Sequence, residues 1–259
     1  MRITIAGYSF HGLLAEGRID VFGYLETVQY RYGIHAADLW NGLVGSVEEG
    51  FLRKLRRTLD EREMTVANYH ADGCHIWEDD PDARKRNREL AEAHLRAAAI
   101  LGAETVRIDT GGTQVPFGSE QLDTITRAYQ DYCDFGASHG FTVGPENHWG
   151  FSLLADNMET LANAVGRPNY GVLLHLGHWD DGDEVGGDRR MAPWTAHTHV
   201  DARITATRLE EHMGILREAG YAGYWGVEHH TAKNEYREVA WQLACVQRVL
   251  SQWQAEAAG

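Results

Sequence analysis

The sequence is poor in the features that would take it out of the ordinary soluble class. Its 259 residues include three cysteines, Cys74, Cys133 and Cys245, set far apart with no C-x-x-C pair. That spacing excludes a disulfide framework and a structural zinc knuckle, and leaves three reduced thiols. No run of about 18 apolar residues is present, so no transmembrane helix is expected. Met1 to Ile5 passes directly into a strand-like alternation, without a signal peptide, which points to the cytoplasm. Positive charge is scarce: 24 Lys and Arg stand against 38 Asp and Glu, for a net charge of −14. A nucleic-acid partner is therefore disfavoured, because such binding depends on Lys and Arg neutralising phosphates. No linker rich in Pro, Gly or Ser divides the chain, and residues 1–259 read as a single domain. With 43% hydrophobic and 24% charged residues, disorder, collagen and coiled coil are excluded.

What is present is a repeat. Eight short β-like segments recur: Arg2 to Gly7, His35 to Trp40, Thr65 to His70, Thr105 to Asp109, Phe141 to Asn147, Tyr170 to Leu176, Ala196 to Asp201 and Tyr224 to His229. Helical periodicity lies between them, as in Phe51, Leu52, Leu55 and Leu59, or Val239, Leu243, Val246 and Leu250. Ser46-Val47-Glu48-Glu49 and Thr207-x-x-Glu210 read as capping boxes, and Asp80-Pro81 as an N-cap followed by a first-turn proline. Asp180 to Pro193, with Gly182, Gly186 and Gly187, reads as a loop rather than a helix, either a lid or a plain connection. Eight βα alternations in about 250 residues predict an α/β protein, a single (β/α)8 TIM barrel. A doubly wound open sheet is the runner-up, but no G-x-G-x-x-G follows the first strand.

In a barrel the C-terminal ends of the strands converge on one mouth, where active sites sit. The chain's 14 histidines are concentrated there. Strand 3 ends Asn68-Tyr69-His70-Ala71-Asp72, strand 5 Pro145-Glu146-Asn147-His148-Trp149, strand 6 His175-Leu176-Gly177-His178-Trp179-Asp180, strand 7 His197-Thr198-His199-Val200-Asp201, and strand 8 Glu228-His229-His230. Alternation along a strand puts His197 and His199 on one side, and Glu146 and His148 likewise. A mixed shell of carboxylate and imidazole suits Mn²⁺, Fe²⁺, Co²⁺ or Zn²⁺ better than Ca²⁺ or Mg²⁺. Six aromatic residues, Trp40, Tyr69, Trp149, Trp179, Trp194 and Trp225, are expected around the mouth, with Trp149 and Trp179 as substrate surfaces. Trp40 and Trp225 read equally well as core residues, and His94, on an apolar helix face, as a packed histidine. No role is assigned to His229 and His230.

This array resembles the xylose isomerase-like TIM-barrel superfamily of sugar isomerases and epimerases, whose relatives include apurinic endonucleases. The marks are Glu146 ending strand 5, the His175-x-x-His178 pair where the family has Asp-x-x-His, His197-x-His199 ending strand 7, and Glu228 ending strand 8. The resemblance spans essentially the whole chain. It implies one divalent metal held by Glu146, His175, His199 and Glu228, with His178 and Arg203 facing the substrate. His197 is expected to orient a ligand through its other nitrogen. Replacement of the usual Asp by His175 tilts the metal toward Mn²⁺, with Co²⁺, Fe²⁺ or Zn²⁺ as alternatives. The endonuclease branch shares His70, but its multinuclear zinc cluster needs a further His after strand 4, where this chain has Arg107-Ile108-Asp109.

The implied chemistry is removal of a proton from carbon beside a sugar carbonyl, through an enediolate, with Glu146, Glu228 and His148 as catalytic residues. An imidazole at His148 with a pKa near neutrality, together with the aromatic mouth, favours elimination. On that reading the chain is similar to the large (alpha) catalytic subunit of bacterial C-glycoside deglycosidases, lyases that cleave the sugar-to-aryl bond of 3-oxo-glucosyl flavonoids. A small beta-subunit partner would follow. The alternative is a ketose epimerase or isomerase, and a reading of a different class is a non-catalytic sugar-binding barrel. An oligomer is expected in each case, with neither nucleic acid nor membrane as partner.

Overall fold

A computed structural model of the chain describes residues 1–180 and 182–258; Asp181, within the stretch read as a loop, and Gly259, the last residue of the expected domain, lie outside the described residues. All eight β-like segments form strands: β1 (Ile3–Ile5), β2 (Ala36–Trp40), β3 (Thr65–Ala71), β4 (Ala103–Ile108), β5 (Thr142–Gly144), β6 (Val172–His175), β7 (Thr195–Val200) and β8 (Trp225–Val227). The ladders are parallel and make two four-stranded sheets, ordered β1-β8-β7-β6 and β2-β3-β4-β5. Isolated parallel bridges join the sheets on both sides: Ala6 with Asp38 at one seam, and Val143 with Tyr170 and Glu146 with Leu173 at the other. The sheet thus closes on itself, which removes free edges and gives the (β/α)8 barrel.

Side-chain chemistry explains both seams. At the first, the buried Tyr24 hydroxyl donates to Ile5 O at 2.6 Å and accepts from Asp38 N at 3.0 Å, tying β1 to β2. At the second, a Cβ on Gly144 would lie 1.8 Å from Gly171 O, so only glycine permits β5 to approach β6 this closely.

The outer helices follow their sequence signals unevenly. Asp80 accepts from Asp82 N at 3.0 Å and opens Pro81–Leu101, as expected. The two capping boxes do not form. Ser46 Oγ accepts instead from Glu48 N at 3.1 Å and the helix starts at Glu49. Thr207 Oγ1 donates back to Arg203 O at 2.7 Å, and the next helix, Leu209–Glu218, starts without a side-chain cap. Both hydroxyls find a nearer backbone partner, the usual competitor of a cap. The glycine-containing stretch after β6 is not a loop throughout: Glu184–Met191 is helical, opened by Asp183 accepting from Gly186 N at 2.8 Å. Among the described residues no helix is long and apolar enough to cross a membrane.

Candidate metal centre and active site

The mouth is organised around Asp38, a fully buried carboxylate in the otherwise apolar β2. Such a charge must be paired and hydrogen-bonded. Its Oδ2 accepts from His197 Nε2 at 2.7 Å and His199 Nε2 at 3.1 Å, and its Oδ1 from Asn68 Nδ2 at 2.8 Å. Burial opposes the charge, but the two imidazoles hold the Asp38 pKa well below the carboxylate range. With Nε2–H committed to Asp38, the His199 ring in its neutral form presents its Nδ1 lone pair on the other side.

That lone pair meets two carboxylates. His199 Nδ1 lies 3.2 Å from Glu146 Oε1 and 3.4 Å from Glu228 Oε2, while His175 Nδ1 lies 3.2 and 3.7 Å from the same two oxygens. Two nitrogens and two carboxylate oxygens converging in a buried place are stable only around positive charge. A proton on His199 is one solution, and its pKa is raised well above the usual value: burial opposes this, but Glu228, Asp38 and Glu146 prevail. A divalent ion is the other. Spacings of 3.2 to 3.7 Å match the edge of about 3.4 Å expected for four donors about 2.1 Å from a tetrahedral ion. The donor set therefore fits a first-row divalent ion.

Above these atoms lies a cavity of about 350 Å³, walled by Tyr8, His70, Asp72 and Arg107 on one side and by His148, His178 and His230 with the two glutamates elsewhere. Three imidazoles there differ in charge state. His70 and His178 are pushed down to about 4, chiefly by burial, helped by Arg107 beside His70 and by His175 and His148 beside His178. His148 goes the other way. Burial lowers it, but Asp109 and Glu146 raise it to about 9, although its Nδ1 stands 4.0 Å from Asp109 Oδ2, too far for a hydrogen bond. The near-neutral pKa expected from the sequence is corrected by these carboxylates.

His178 reaches the cavity through a tight turn. Its N–H donates to His175 O at 3.1 Å, and Gly177 takes φ +65° where a Cβ would lie 2.9 Å from His212 Cε1. The buried Asp188 carboxylate fixes that turn from behind, accepting from Gly177 N at 3.0 Å, Trp179 Nε1 at 2.7 Å and His212 Nδ1 at 2.6 Å.

A family model described as "Xylose isomerase-like TIM barrel" matches residues 30–247. The chain belongs to this family. Among solved structures, this barrel is similar to the IOLI protein with a binding zinc atom (TM-score 0.80, 14% identity, 97% of this chain and 99% of that one). It is equally similar to an L-ribulose 3-epimerase (TM-score 0.80, 14% identity, 99% and 97%). A D-psicose 3-epimerase from Clostridium cellulolyticum H10 gives a TM-score of 0.75 at 13% identity over 98% and 99%. Compared with curated protein sequences, the chain has no significant match.

Within this xylose isomerase-like barrel, the four residues assigned to the metal come together, and His70, His148 and His178 line the cavity above them. His197 is hydrogen-bonded to none of these four; its link to His199 runs through Asp38. Arg203 and Trp179 do not reach the cavity. Arg203 donates to Gly177 O at 2.9 Å and Glu184 Oε1 at 2.7 Å, and the Trp179 indole is packed against Gly187, so both brace the His178 turn from outside. Trp149 lines a neighbouring hollow, where its Nε1 donates to Asp109 Oδ2 at 3.0 Å. Trp194 and Trp225 stand at the starts of β7 and β8, the opposite end of the barrel, and Tyr69 is buried with its hydroxyl 2.8 Å from His94 Nδ1. The six-membered aromatic rim is thus corrected to Trp40 and Trp149, with Tyr8 added edge-on to Trp40 at 5.1 Å.

Asp38, Arg107 and Asp72 were not among the expected site residues. Asp38 carried a readable signal, a lone charge inside an apolar strand, which requires a partner brought from elsewhere; Arg107 shares β4 with Glu104 and stood out less. His230, whose Nε2 lies 2.8 Å from Glu228 Oε2, also belongs to the wall.

Proposed function

We propose that this protein is a divalent-metal-dependent enzyme that moves a proton at carbon beside the carbonyl of an uncharged sugar, as an epimerase or aldose–ketose isomerase. The observation that carries this is the convergence of Glu146, Glu228, His175 Nδ1 and His199 Nδ1 beneath a sugar-sized cavity. Manganese is the ion expected for this mixed set. Held by these four residues, it would polarise a sugar carbonyl or hydroxyl oxygen.

The chain's own groups supply the proton movement. In the metal-free chain burial holds His178 neutral while nearby carboxylates raise His148, so His178 is placed to accept a proton and His148 to give one. Titratable groups whose environments drive their pKa values apart are the ordinary way a site separates acid from base. Charge selects the substrate. Asp72, Glu146 and Glu228 face the cavity, and the guanidinium donors of Arg107 are engaged by Asp72 and Asp109. Arg107, occupied by Asp72 and Asp109, is not offered to a phosphate or carboxylate, whereas the carboxylates are acceptors for sugar hydroxyl groups. The likeness of this barrel to a D-psicose 3-epimerase and an L-ribulose 3-epimerase supports the same reading.

A second reading, elimination of an aryl group from a 3-oxo glycoside with help from a small beta-subunit, draws on the hollow of about 120 Å³ lined by Trp77, Trp149 and Phe151. One experiment separates the two. The Mn²⁺-loaded protein is incubated in deuterated water with free ketoses, ketose phosphates and a 3-oxo aryl C-glycoside. Deuterium entry into free ketoses, at least tenfold faster than into the phosphates, is the expected result. Release of aglycone without exchange would favour elimination, and neither event with any of these substrates would overturn the enzyme reading in favour of a binding barrel.

A further inference from the structure

Beside the four converging ligands lies a second group with the make-up of a cation site. Ligand atoms of Asp109, Glu146 and His148 fall within 4.8 Å of one another. Asp109 Oδ1 and His148 Nδ1 are buried without a hydrogen-bond partner. Arg107 stands among them, 3% exposed on β4. Its Nη1 donates to Asp109 Oδ2 and Asp72 Oδ1, each at 2.7 Å; its Nε pairs with Glu146 Oε2 at 3.1 Å, and its Nη2 is 3.3 Å from His70 Nδ1. A guanidinium taken this far out of water is retained only among compensating carboxylates, and three are present.

We propose that the Arg107 guanidinium is the resident cation of this second group, excluding a metal ion from Asp109, Glu146 and His148 and so limiting the centre to one divalent ion per chain. The inference rests on the metal centre proposed above and deepens it. Glu146 is divided between two positive partners: Oε2 faces Arg107, while Oε1 faces His175 and His199. Arg107 is thus a positioning residue that settles which oxygen is offered to the ion. Without the guanidinium, Asp72, Asp109 and Glu146, with His70 and His148, would surround a space that only another cation satisfies.

Metal content tests this without reference to turnover. The protein is stripped with chelator, equilibrated with excess Mn²⁺, desalted, and analysed by elemental mass spectrometry and electron paramagnetic resonance. Wild type and Arg107→Lys are expected to hold one Mn²⁺. Arg107→Met is expected to hold two, with a spin-coupled spectrum, and to return to one when His148→Ala is added. An Arg107→Met protein with native circular dichroism that still holds one ion overturns the inference, as does a wild type holding two. A wild type that holds none overturns the metal centre itself, a distinct result. His148→Ala in the wild-type background gives a reading that does not depend on Arg107→Met folding. It is expected to keep one ion with affinity within twofold, and a loss of more than tenfold would place the ion in the group assigned to Arg107.

Discussion

Asp38 decides what His199 can be. By accepting both Nε2–H groups of His197 and His199, it fixes the tautomer of the ring that faces Glu146 and Glu228. Asp38→Asn keeps the shape but loses the charge, and its amide must turn a donor toward one of the rings. Partners of this kind typically change ion affinity about 10 to 100-fold. Mn²⁺ affinity by calorimetry is expected to fall by that much, with the far-ultraviolet spectrum unchanged. The cysteines make a different prediction at the same scale. Burial pushes the Cys74 and Cys133 thiols up to about 12, so neither forms appreciable thiolate at pH 8. Iodoacetamide on the native protein should leave both unmodified by mass spectrometry. The sign for stability follows from linkage: thiols ionise more readily in the unfolded chain, so their contribution is intact below about pH 8.5 and is lost as pH climbs toward 12. The melting temperature should fall between pH 8.5 and 10.5. At this scale Glu146, His175, His199 and Glu228 were legible through the family resemblance, whereas strand alternation alone gave only the pairs His197 with His199 and Glu146 with His148. Asp38 was legible as a buried charge but its partners were not, His197 lying 159 positions away, and Arg107 was masked by the other charges around it in sequence, Glu104 and Asp109.

Among elements, the helix Glu184–Met191 shows why local propensity misled. Gly186 and Gly187 disfavour a helix by about 1 kcal/mol each. Tertiary contacts override that cost: Asp183 caps the first turn, Gly187 leaves room for the Trp179 ring, and Asp188 is the buried acceptor for three donors from the His178 turn and His212. Asp188→Ala removes the acceptor and leaves those donors buried. A loss of about 3–5 kcal/mol in urea denaturation is expected, with Asp188→Asn losing less. The aromatic residues failed for another reason. Trp194 and Trp225 lie close to strands in sequence, but at their beginnings, and in a parallel barrel the beginning of a strand is the far mouth.

For the whole molecule, the eight-fold alternation was enough to determine the architecture, since closure, handedness and the position of the mouth follow from parallel βα units. What the repeat does not contain is the pair of seams. Those depend on single residues, and Gly144→Ala is the sharp test: the added Cβ would meet Gly171 O at 1.8 Å. Because the contact is with backbone, relief requires the sheets to part. The variant is expected to lose about 3 kcal/mol or more, read by thermal melting, and overpacking of this kind rarely costs less than about 1 kcal/mol.

The division of the barrel into two sheets has a further consequence. Glu146 follows β5 in one sheet, whereas His175, His199 and Glu228 come from β6, β7 and β8 in the other. An ion shared by these four residues would be a clasp across the joint. Each half, separated, would retain only part of the grip, so the folded population would become a readout of free metal. At a free Mn²⁺ concentration 100 times the dissociation constant the clasp adds about 2.7 kcal/mol. Melting curves collected over a series of free Mn²⁺ concentrations should climb accordingly, and Glu146→Gln should flatten that slope while also lowering the metal-free melting point, because it removes a buried partner of Arg107.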